Sequence, residues 1–238
     1  MTTQTTRRLA GLFACAALAG AAATAFAQPI YKPPSGQDFG GVWKIEGDHS
    51  TLKTLDGKTP PLNKAAAAVY AQHVKARKDG KPDFDTIQTC KPHGFPRILT
   101  ADYPIEILME PKQVSFIHEV HHFPRLVYLD MAPPKAADLD PNWMGVSAGR
   151  WEGDTLVVES AGVYDKTTLD KAGLPHSTDM QVTERIKKLD ANTLEDVITI
   201  TDPKTYTKPW STRVTFKRQP GYRIQQYVCT DANPEAAK

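Results

Sequence analysis

The chain has 238 residues, 40% of them hydrophobic, and its 29 Lys and Arg residues against 27 Asp and Glu residues give a formal net charge of +2. This balance lacks the basic excess that nucleic acid or an anionic membrane surface selects, so neither is expected as the main partner. No segment after the N-terminal one reaches the roughly 18 consecutive apolar residues of a membrane anchor.

The N-terminus carries the pattern of an export signal. Arg7 and Arg8 precede an Ala-rich apolar run over residues 9–23, and Ala25-Phe26-Ala27 forms an A-x-A cleavage site. We predict a signal peptide over residues 1–27, cleaved after Ala27, and export to the periplasm or beyond. Cleavage removes two Arg and no acid, which leaves 27 basic against 27 acidic residues. Residues 28–238 then suit a single globular domain.

The first predicted elements of that domain are a strand and a helix. Residues 39–45 favour a strand that contains Gly41-Val42-Trp43, a G-x-W similar to the one that opens the first strand of lipocalin-like barrels. Asn63 is a suitable N-cap for a helix over residues 64–78, which is rich in alanine and ends in basic residues. We expect this helix to lie over the mouth of a barrel.

From residue 105 onward the sequence is dominated by strand signals. Short runs with turn residues between them predict strands at 105–110, 113–121, 125–130, 144–152, 155–160, 180–188, 194–201, 212–217 and 223–229. With the first strand this makes about ten, and it favours an all-β fold, an antiparallel lipocalin-like barrel with one N-terminal helix. The connection 131–143 and the loop 163–179 are expected to cover an opening.

One hairpin is specified in detail. Gly153-Asp154 is a dipeptide typical of a two-residue turn with positive φ. Such a turn places Trp151 opposite Leu156 and Gly149 opposite Val158 on an inner face. The polar side chains between them lie on the outer face, because alternate residues of a strand point to opposite sides.

The same hairpin carries a recognisable motif, S-x-G-R-W-E-G-D-T-L-V-V, over residues 147–158. Together with Trp143-Met144-Gly145 and Glu184-Arg185, it resembles a family of exported bacterial proteins of mostly unassigned function. The resemblance covers most of the mature chain, and it departs after Asp130, where Met131-Ala132-Pro133 replaces an expected Asp-Gly-Arg-like continuation. It implies an exported β-rich domain and brings no established chemistry.

Two cysteines, Cys90 and Cys229, remain after signal cleavage. In an oxidising compartment they most simply form one disulfide, which would tie a loop after the helix to the last strand. The alternative is a pair of free thiols, one of them a nucleophile.

His118-Glu119-Val120-His121-His122 matches the H-E-x-x-H pattern of zinc proteases. That chemistry needs both histidines on one face of a helix, whereas this segment is rich in strand-forming residues and is followed by Pro124. In a strand the two histidines would lie about 13 Å apart, too far to share one ion, so no metal is expected. The chain also lacks a Gly-rich phosphate loop, a nucleophile elbow and a two-Cys metal knuckle, so we expect no cofactor.

Two carboxyl groups fall on the apolar face of predicted strands. Glu184 aligns with the apolar residues of strand 180–188, and Asp196 with those of strand 194–201. A three-residue turn at 191–193 would pair Asp196 with Lys188 and leave Glu184 without a partner on that strand. A carboxylate inside a barrel must be paired or protonated. Glu184 is therefore either a structural partner of an inward arginine such as Arg125, or a general acid/base or ligand anchor.

Other side chains complete the candidate site. The candidates for acid–base chemistry are Glu184, His118, Glu119 and His176. The candidates for ligand contact are Arg125, Tyr128, Trp143, Arg150, Tyr206 and Trp210. Several have plainer interpretations: His118 as a core histidine, Glu119 as an ion pair with Arg125, and Arg150 as a surface pair with Glu159. His176, in a loop, is either a proton carrier or merely exposed.

Three functions are compatible with these features. The first is a cofactor-independent lyase, isomerase or dehydratase that acts on a small apolar or aromatic molecule inside the barrel. The second is a carrier that binds such a molecule without chemistry. The third is a structural or interaction domain whose interior is filled by its own side chains.

Overall fold

The computed structural model describes residues 31–34 and 36–229, which form a closed barrel of nine strands with one α-helix and three 3₁₀ helices. The strands are β1 (Gly41–Glu46), β2 (Ile105–Glu110), β3 (Gln113–His118), β4 (Pro124–Tyr128), β5 (Val146–Glu152), β6 (Thr155–Ala161), β7 (Gln181–Asp190), β8 (Thr193–Thr201) and β9 (Trp210–Arg218). The helix α1 covers Lys64–Lys78, and the 3₁₀ helices cover Thr86–Thr89, Arg97–Thr100 and Ala136–Asp138. The predicted signal peptide lies outside the described residues. No helix in the described ranges has both the length and the hydrophobicity of a membrane span.

The barrel closes through pairing of β1 with β9, and its strands follow one another around the wall in chain order. The predicted all-β barrel is confirmed, although it has nine strands instead of about ten. One pair is not antiparallel: β4 and β5 run parallel through two registered pairs, Val127 with Ser147 and Tyr128 with Ala148. The cause is the connection 129–145, which returns the chain to the end of the barrel where β4 began.

The β5–β6 hairpin has the register that the sequence predicts. Trp151 lies opposite Leu156 and Gly149 opposite Val158, and Gly153 in the turn has a φ of +66°. Gly149 also has a packing role, because a Cβ there would lie 2.7 Å from Cγ1 of Val127 on β4. Its missing side chain lets the two parallel strands approach each other.

The segment between β1 and β2 folds into a cap at the end of the barrel where β2 begins. Helix α1 starts as predicted, with the Asn63 side chain accepting a hydrogen bond from the Ala66 N–H at 2.9 Å. In the 3₁₀ helix Arg97–Thr100, the buried Arg97 donates to Asp85 at 2.9 and 3.0 Å and to Thr168 of the β6–β7 loop at 3.1 Å. These bonds join the cap to the loop that was expected to cover an opening.

After β9 the chain continues as a C-terminal tail, residues 219–229, without the strand predicted at 223–229. Its polar groups bond to side chains of the turn after β3. The Tyr222 hydroxyl and the Gln225 N–H donate to Glu119 at 2.8 and 2.9 Å, and the Tyr227 N–H donates to Nε2 of His122 at 2.8 Å. The predicted disulfide between Cys90 and Cys229 is confirmed and fixes the end of the tail to the cap.

We expect removal of this disulfide to destabilise the protein and release the tail. The two cysteines are 139 residues apart, so the Cys90→Ser/Cys229→Ser variant should lose up to about 5 kcal/mol of unfolding free energy. Urea unfolding measures the loss, and limited proteolysis of residues 219–229 detects the released tail. A reducing agent should shift the unfolding of the wild type but not of the double variant. Two titratable thiols in the unreduced mature protein would contradict the pairing.

Candidate functional site

The polar centre of the barrel is the side chain of Arg125 on β4, which is 1% exposed. It donates from Nη1 to Oε1 of Glu184 at 2.9 Å and from Nη2 to Oε2 of the same carboxylate. It also donates to Ser147 on β5 at 3.2 Å and to Ser160 on β6 at 3.0 Å. One guanidinium therefore holds side chains from three further strands.

Aromatic rings enclose this ion pair. The Cζ atom of Arg125 lies 4.0 Å from the ring centroid of Phe95 in the cap and 5.5 Å from that of Phe116 on β3. Stacking against the cap ring excludes water from the guanidinium and adds a cation–π attraction, which strengthens when both groups are desolvated. Arg125 is thus buried among partners that account for its charge. Glu184 is thus paired with Arg125, the inward arginine that the sequence analysis named as its possible partner.

The register of β7 and β8 differs from the prediction and brings a second carboxyl group to this centre. Asp196 lies opposite Ile186 instead of Lys188, and Glu184 lies opposite Ile198. The turn is shorter than predicted, since the Asn192 N–H bonds to the Asp190 carboxylate at 2.7 Å, and a bulge shifts the pairing between residues 188 and 190. The predicted pairing of Asp196 with Lys188 is therefore wrong.

Asp196 is 1% exposed and interacts with Glu184. Burial raises the pKa of Asp196 well above its ordinary value of 3.8, and the negative charge of Glu184 raises it further, although Arg125 opposes the rise. Asp196 is therefore a neutral carboxylic acid with a single O–H donor, which can bond either to the Glu184 carboxylate or to a ligand. Its Oδ1 atom has no hydrogen-bond partner within the part of the chain that the structure describes.

A small cavity lies beside this carboxyl pair. It is lined by eight apolar side chains, among them Trp43, Leu99, Phe116 and Phe216, and by Glu184 and Asp196. Its volume is about 20 Å³, against about 10–15 Å³ that a single water needs on the same measure. The cavity therefore has room for about one water molecule. Leu99 is the one lining residue that the cap contributes.

His118, at the end of β3, is buried near the ion pair. Burial lowers the pKa of His118 to about 3, and the positive charge of Arg125 contributes to the shift. The imidazole is therefore neutral at pH 7. Its Nε2 atom has no hydrogen-bond partner among the described residues. His118 is the one predicted acid–base candidate, besides Glu184, that the fold brings close to Arg125.

The H-E-x-x-H segment does not form a metal centre. β3 ends at His118 instead of residue 121, and His121 and His122 follow in a turn with φ values of +61° and +53°. His122 faces the C-terminal tail, so it does not converge with His118. Within residues 31–34 and 36–229, no group of three or more His, Cys, Asp or Glu side chains is arranged to hold a metal ion.

Two other acid–base candidates are buried, but they lie outside the interior of the barrel. Glu119 is committed to the C-terminal tail through Tyr222 and Gln225. His176 is buried in the β6–β7 loop, where its ring nitrogens lie 3.0 Å from the Thr167 hydroxyl and 3.2 Å from the Ser177 carbonyl oxygen. Burial lowers the pKa of His176. Neither side chain lines the cavity.

The six predicted ligand-contact residues do not lie together, and only Arg125 lies at the centre of the barrel. Tyr206 and Trp210 contact each other with ring centroids 5.4 Å apart, and the Tyr206 hydroxyl donates to the Pro175 carbonyl at 2.8 Å. Trp143, in the connection before β5, contacts the ring of Tyr164 at 5.5 Å. The other two lie on the outer wall: Tyr128 is 36% exposed, and Arg150 pairs with Glu152 and Glu159.

Of the ten residues that line the cavity, sequence reasoning named only Glu184 as a site residue, and Asp196 and Leu99 are the two omissions that matter most here. Asp196 was assigned a structural partner, although its position among apolar residues of β8 was the signal that it points inward. Leu99 carried no signal, since it belongs to a 3₁₀ turn in a long connection and periodicity does not predict which side chain of such a turn is buried.

No protein-family model matches the chain, and no curated protein matches it. Among solved structures, a protein titled "REP1-NXSQ fatty acid transporter" is similar with a TM-score of 0.38 and 10% identity, over 78% of this chain and 98% of that chain. A point mutant of the fluorescent protein UnaG is similar with a TM-score of 0.33 and 13% identity, over 76% of this chain and 96% of that one. The function must be inferred from the residues of the barrel interior.

The raised pKa of Asp196 predicts a pH-dependent stability. Above the unfolded pKa of 3.8 the unfolded chain loses this proton while the folded chain keeps it. The unfolding free energy should therefore fall as pH rises, by up to about 1.4 kcal/mol per pH unit until the folded pKa is passed. Asp196→Asn keeps a neutral donor and should remove this term. Urea unfolding from pH 4 to 8 measures the difference between variant and wild type, in which the histidine contributions cancel.

Glu195→Gln, on the outer face of the same strand, is the matched control and should follow the wild type. A difference between wild type and Asp196→Asn that stays constant over this pH range would show that Asp196 is ionised in the folded protein.

Proposed function

We propose that this protein is an exported small-molecule-binding barrel, and that its ligand is a mostly apolar molecule held in the cavity beside Asp196. The observation that carries the proposal is the Oδ1 atom of Asp196, buried and unpartnered among the described residues, in a cavity whose other walls are apolar except for Glu184. The Cys90–Cys229 disulfide is compatible with an oxidising compartment, in agreement with the predicted signal peptide.

The energetics favour a ligand with one polar group. A buried polar atom without a partner costs roughly 1–3 kcal/mol, and a ligand hydroxyl or carbonyl group that bonds to the Asp196 carboxyl group would recover that cost. The apolar walls would contribute about 25 cal/mol for each Å² of apolar ligand surface that they remove from water. A small cavity lined in this way distinguishes a molecule with a single polar group from a fully polar one.

Ligand entry requires the cap to move. The cavity holds about one water, so a larger molecule must displace the Leu99 side chain. Leu99 lies in a 3₁₀ helix whose Arg97 is held by Asp85 and Thr168, all belonging to connections between strands. This helix can shift without breaking a strand pair of the barrel, because the bonds that hold Arg97 lie outside the strand ladders.

Ligand binding can be tested with the purified mature protein. Native mass spectrometry should detect a retained small molecule, and calorimetric titration with cyclohexanone, a small apolar ketone, should give saturable binding. Leu99→Ala should strengthen cyclohexanone binding about tenfold because it enlarges the cavity, and Asp196→Leu should weaken it by a similar factor. Leu99→Val is the milder alternative if the alanine variant is unstable.

The matched controls are Leu108→Ala and Glu195→Leu, which change the outer wall and should leave the affinity unchanged. If neither Leu99→Ala nor Asp196→Leu changed the affinity for cyclohexanone, or if no variant bound it, the proposed site would be refuted.

Acid–base catalysis is the second candidate function, and the different environments of the two carboxyl groups favour it. Arg125 and its partners neutralise Glu184 as a carboxylate, while burial keeps Asp196 protonated. A pair of groups in opposite protonation states is the arrangement that supplies a base and an acid together. With a bound ketone, Glu184 would remove an α-proton while Asp196 protonates the carbonyl oxygen, which gives the enol. In the reverse step the enol hydroxyl would return its proton to Asp196, and Glu184, after exchanging its proton with solvent, would protonate the carbon.

Catalysis of this kind can be detected as exchange of the α-protons of cyclohexanone in deuterated buffer, followed by NMR. The wild type should accelerate exchange over buffer, and Glu184→Gln should lower that acceleration by at least about 100-fold. Calorimetric titration of the same variant with cyclohexanone separates a loss of catalysis from a loss of binding. Binding without exchange in the wild type would make the barrel a carrier.

A further inference from the structure

We infer that the ligand of this barrel is electrically neutral, and that the interior rejects both carboxylates and ammonium groups. This inference rests on the proposed function and names its ligand class. Its basis is the way in which Arg125, the one strongly basic group at the centre of the described barrel, is already occupied by the protein's own acceptors.

Most N–H donors of the Arg125 guanidinium are already bonded and are not free to bind an anion. It makes four hydrogen bonds, two to Glu184 and one each to Ser147 and Ser160. An arginine has five N–H donors, and recognition of a carboxylate uses two parallel ones. That bidentate position on Arg125 is taken by Glu184, so a ligand carboxylate would have to displace a side chain that is itself buried and charged.

Two aromatic rings also lie close to the guanidinium. Phe95 lies over it at 4.0 Å and Phe116 at 5.5 Å, measured from Cζ to the ring centroids. Arg125 is also absent from the cavity wall, where Glu184 and Asp196 are the polar groups. A ligand in the cavity therefore meets the acidic side of the ion pair and not its basic side.

The charges around the cavity cancel without a ligand. The positive charge of Arg125 offsets the negative charge of Glu184, Asp196 is a neutral acid, and His118 is a neutral imidazole. Arg97, a buried cationic residue of the cap, pairs with Asp85. An anion placed beside Glu184 would be repelled and desolvated, with no free cation among the described residues at the cavity to compensate for the loss of water.

A cation is excluded for a different reason. An ammonium group would have to lose its own hydration, and to form a salt bridge with Asp196 it would require that residue to release its proton to solvent. The result would be two carboxylates and two cations within one dry interior. A hydroxyl or carbonyl group makes no such demand. Either group can accept a hydrogen bond from Asp196, and a hydroxyl can instead donate one to the unpartnered Oδ1 atom, while the charges stay as they are.

The test compares three molecules with a six-membered ring at pH 7, namely cyclohexanone, cyclohexanecarboxylate and cyclohexylammonium, with cyclohexanecarboxamide as the neutral control for the size of the carboxylate. Titration calorimetry should show cyclohexanone binding with an affinity at least about tenfold higher than either ion. An ion that binds as well as the ketone would overturn the inference and leave the proposed binding function standing. If none of the three binds and no small molecule is retained, both the function and its ligand class are refuted.

The Asp196→Asn variant distinguishes binding of a neutral polar group from binding of an ammonium group by an ionised Asp196. The asparagine keeps a neutral donor and acceptor, so the affinity for cyclohexanone should change by less than about threefold. An ammonium ligand held by an ionised Asp196 would instead lose its binding in this variant, which would contradict the inference. Glu195→Gln, one residue away and outside the barrel, serves as the control and should change neither affinity.

Discussion

The interior of this barrel is organised by a single buried ion pair between Arg125 and Glu184. Both side chains are removed from water, so each charge depends on the other and on Ser147 and Ser160 for its stability. Removing one partner of such a pair usually costs several kcal/mol, because the remaining charge stays buried. Since the four residues come from β4, β5, β6 and β7, the pair also specifies how these strands are placed. It spans the parallel β4–β5 contact, where the backbone supplies two registered residue pairs.

The ion pair also determines the state of its neighbours. Burial raises the pKa of Asp196, and the negative charge of Glu184 raises it further, so Asp196 keeps its proton. Burial likewise lowers the pKa of His118, and the positive charge of Arg125 adds to that shift. The barrel thus has polar side chains at its centre and no net charge. The small cavity beside Asp196, with walls otherwise apolar apart from Glu184, is the place where a foreign molecule would meet that neutral polarity.

The sequence predicted those parts of the fold that local chemistry determines. The Gly153-Asp154 turn set the register of the β5–β6 hairpin, Asn63 marked the start of α1, and strand alternation identified Glu184 as an inward carboxylate. It did not predict the bulge before residue 190, which moves Asp196 from Lys188 to the neighbourhood of Glu184. A bulge depends on how a turn satisfies its backbone groups in three dimensions, and the residue pattern of the strands does not encode it.

The other failures have a common physical origin, because they concern segments stabilised by distant side chains. Residues 223–229 have a strand-like composition, yet their N–H groups bond to Glu119 and His122 from the turn after β3. In the H-E-x-x-H segment, Glu119 and His122 accept hydrogen bonds from the tail instead of binding a metal ion. Leu99 enters the cavity because the cap is anchored through Arg97, a residue whose partners lie 12 and 71 positions away in the chain. Such long-range contacts leave no periodic signal.

The disulfide to the C-terminal tail has a consequence for the order in which the protein matures. A polypeptide is synthesised from its N-terminus, and its domains fold in that order. Cys90 therefore has to wait for nearly the whole chain before Cys229 arrives, 139 residues later. The disulfide therefore forms only after all nine strands have been synthesised, and it joins the tail to a cap whose residues were made much earlier. An oxidised molecule is consequently one whose barrel sequence is fully present.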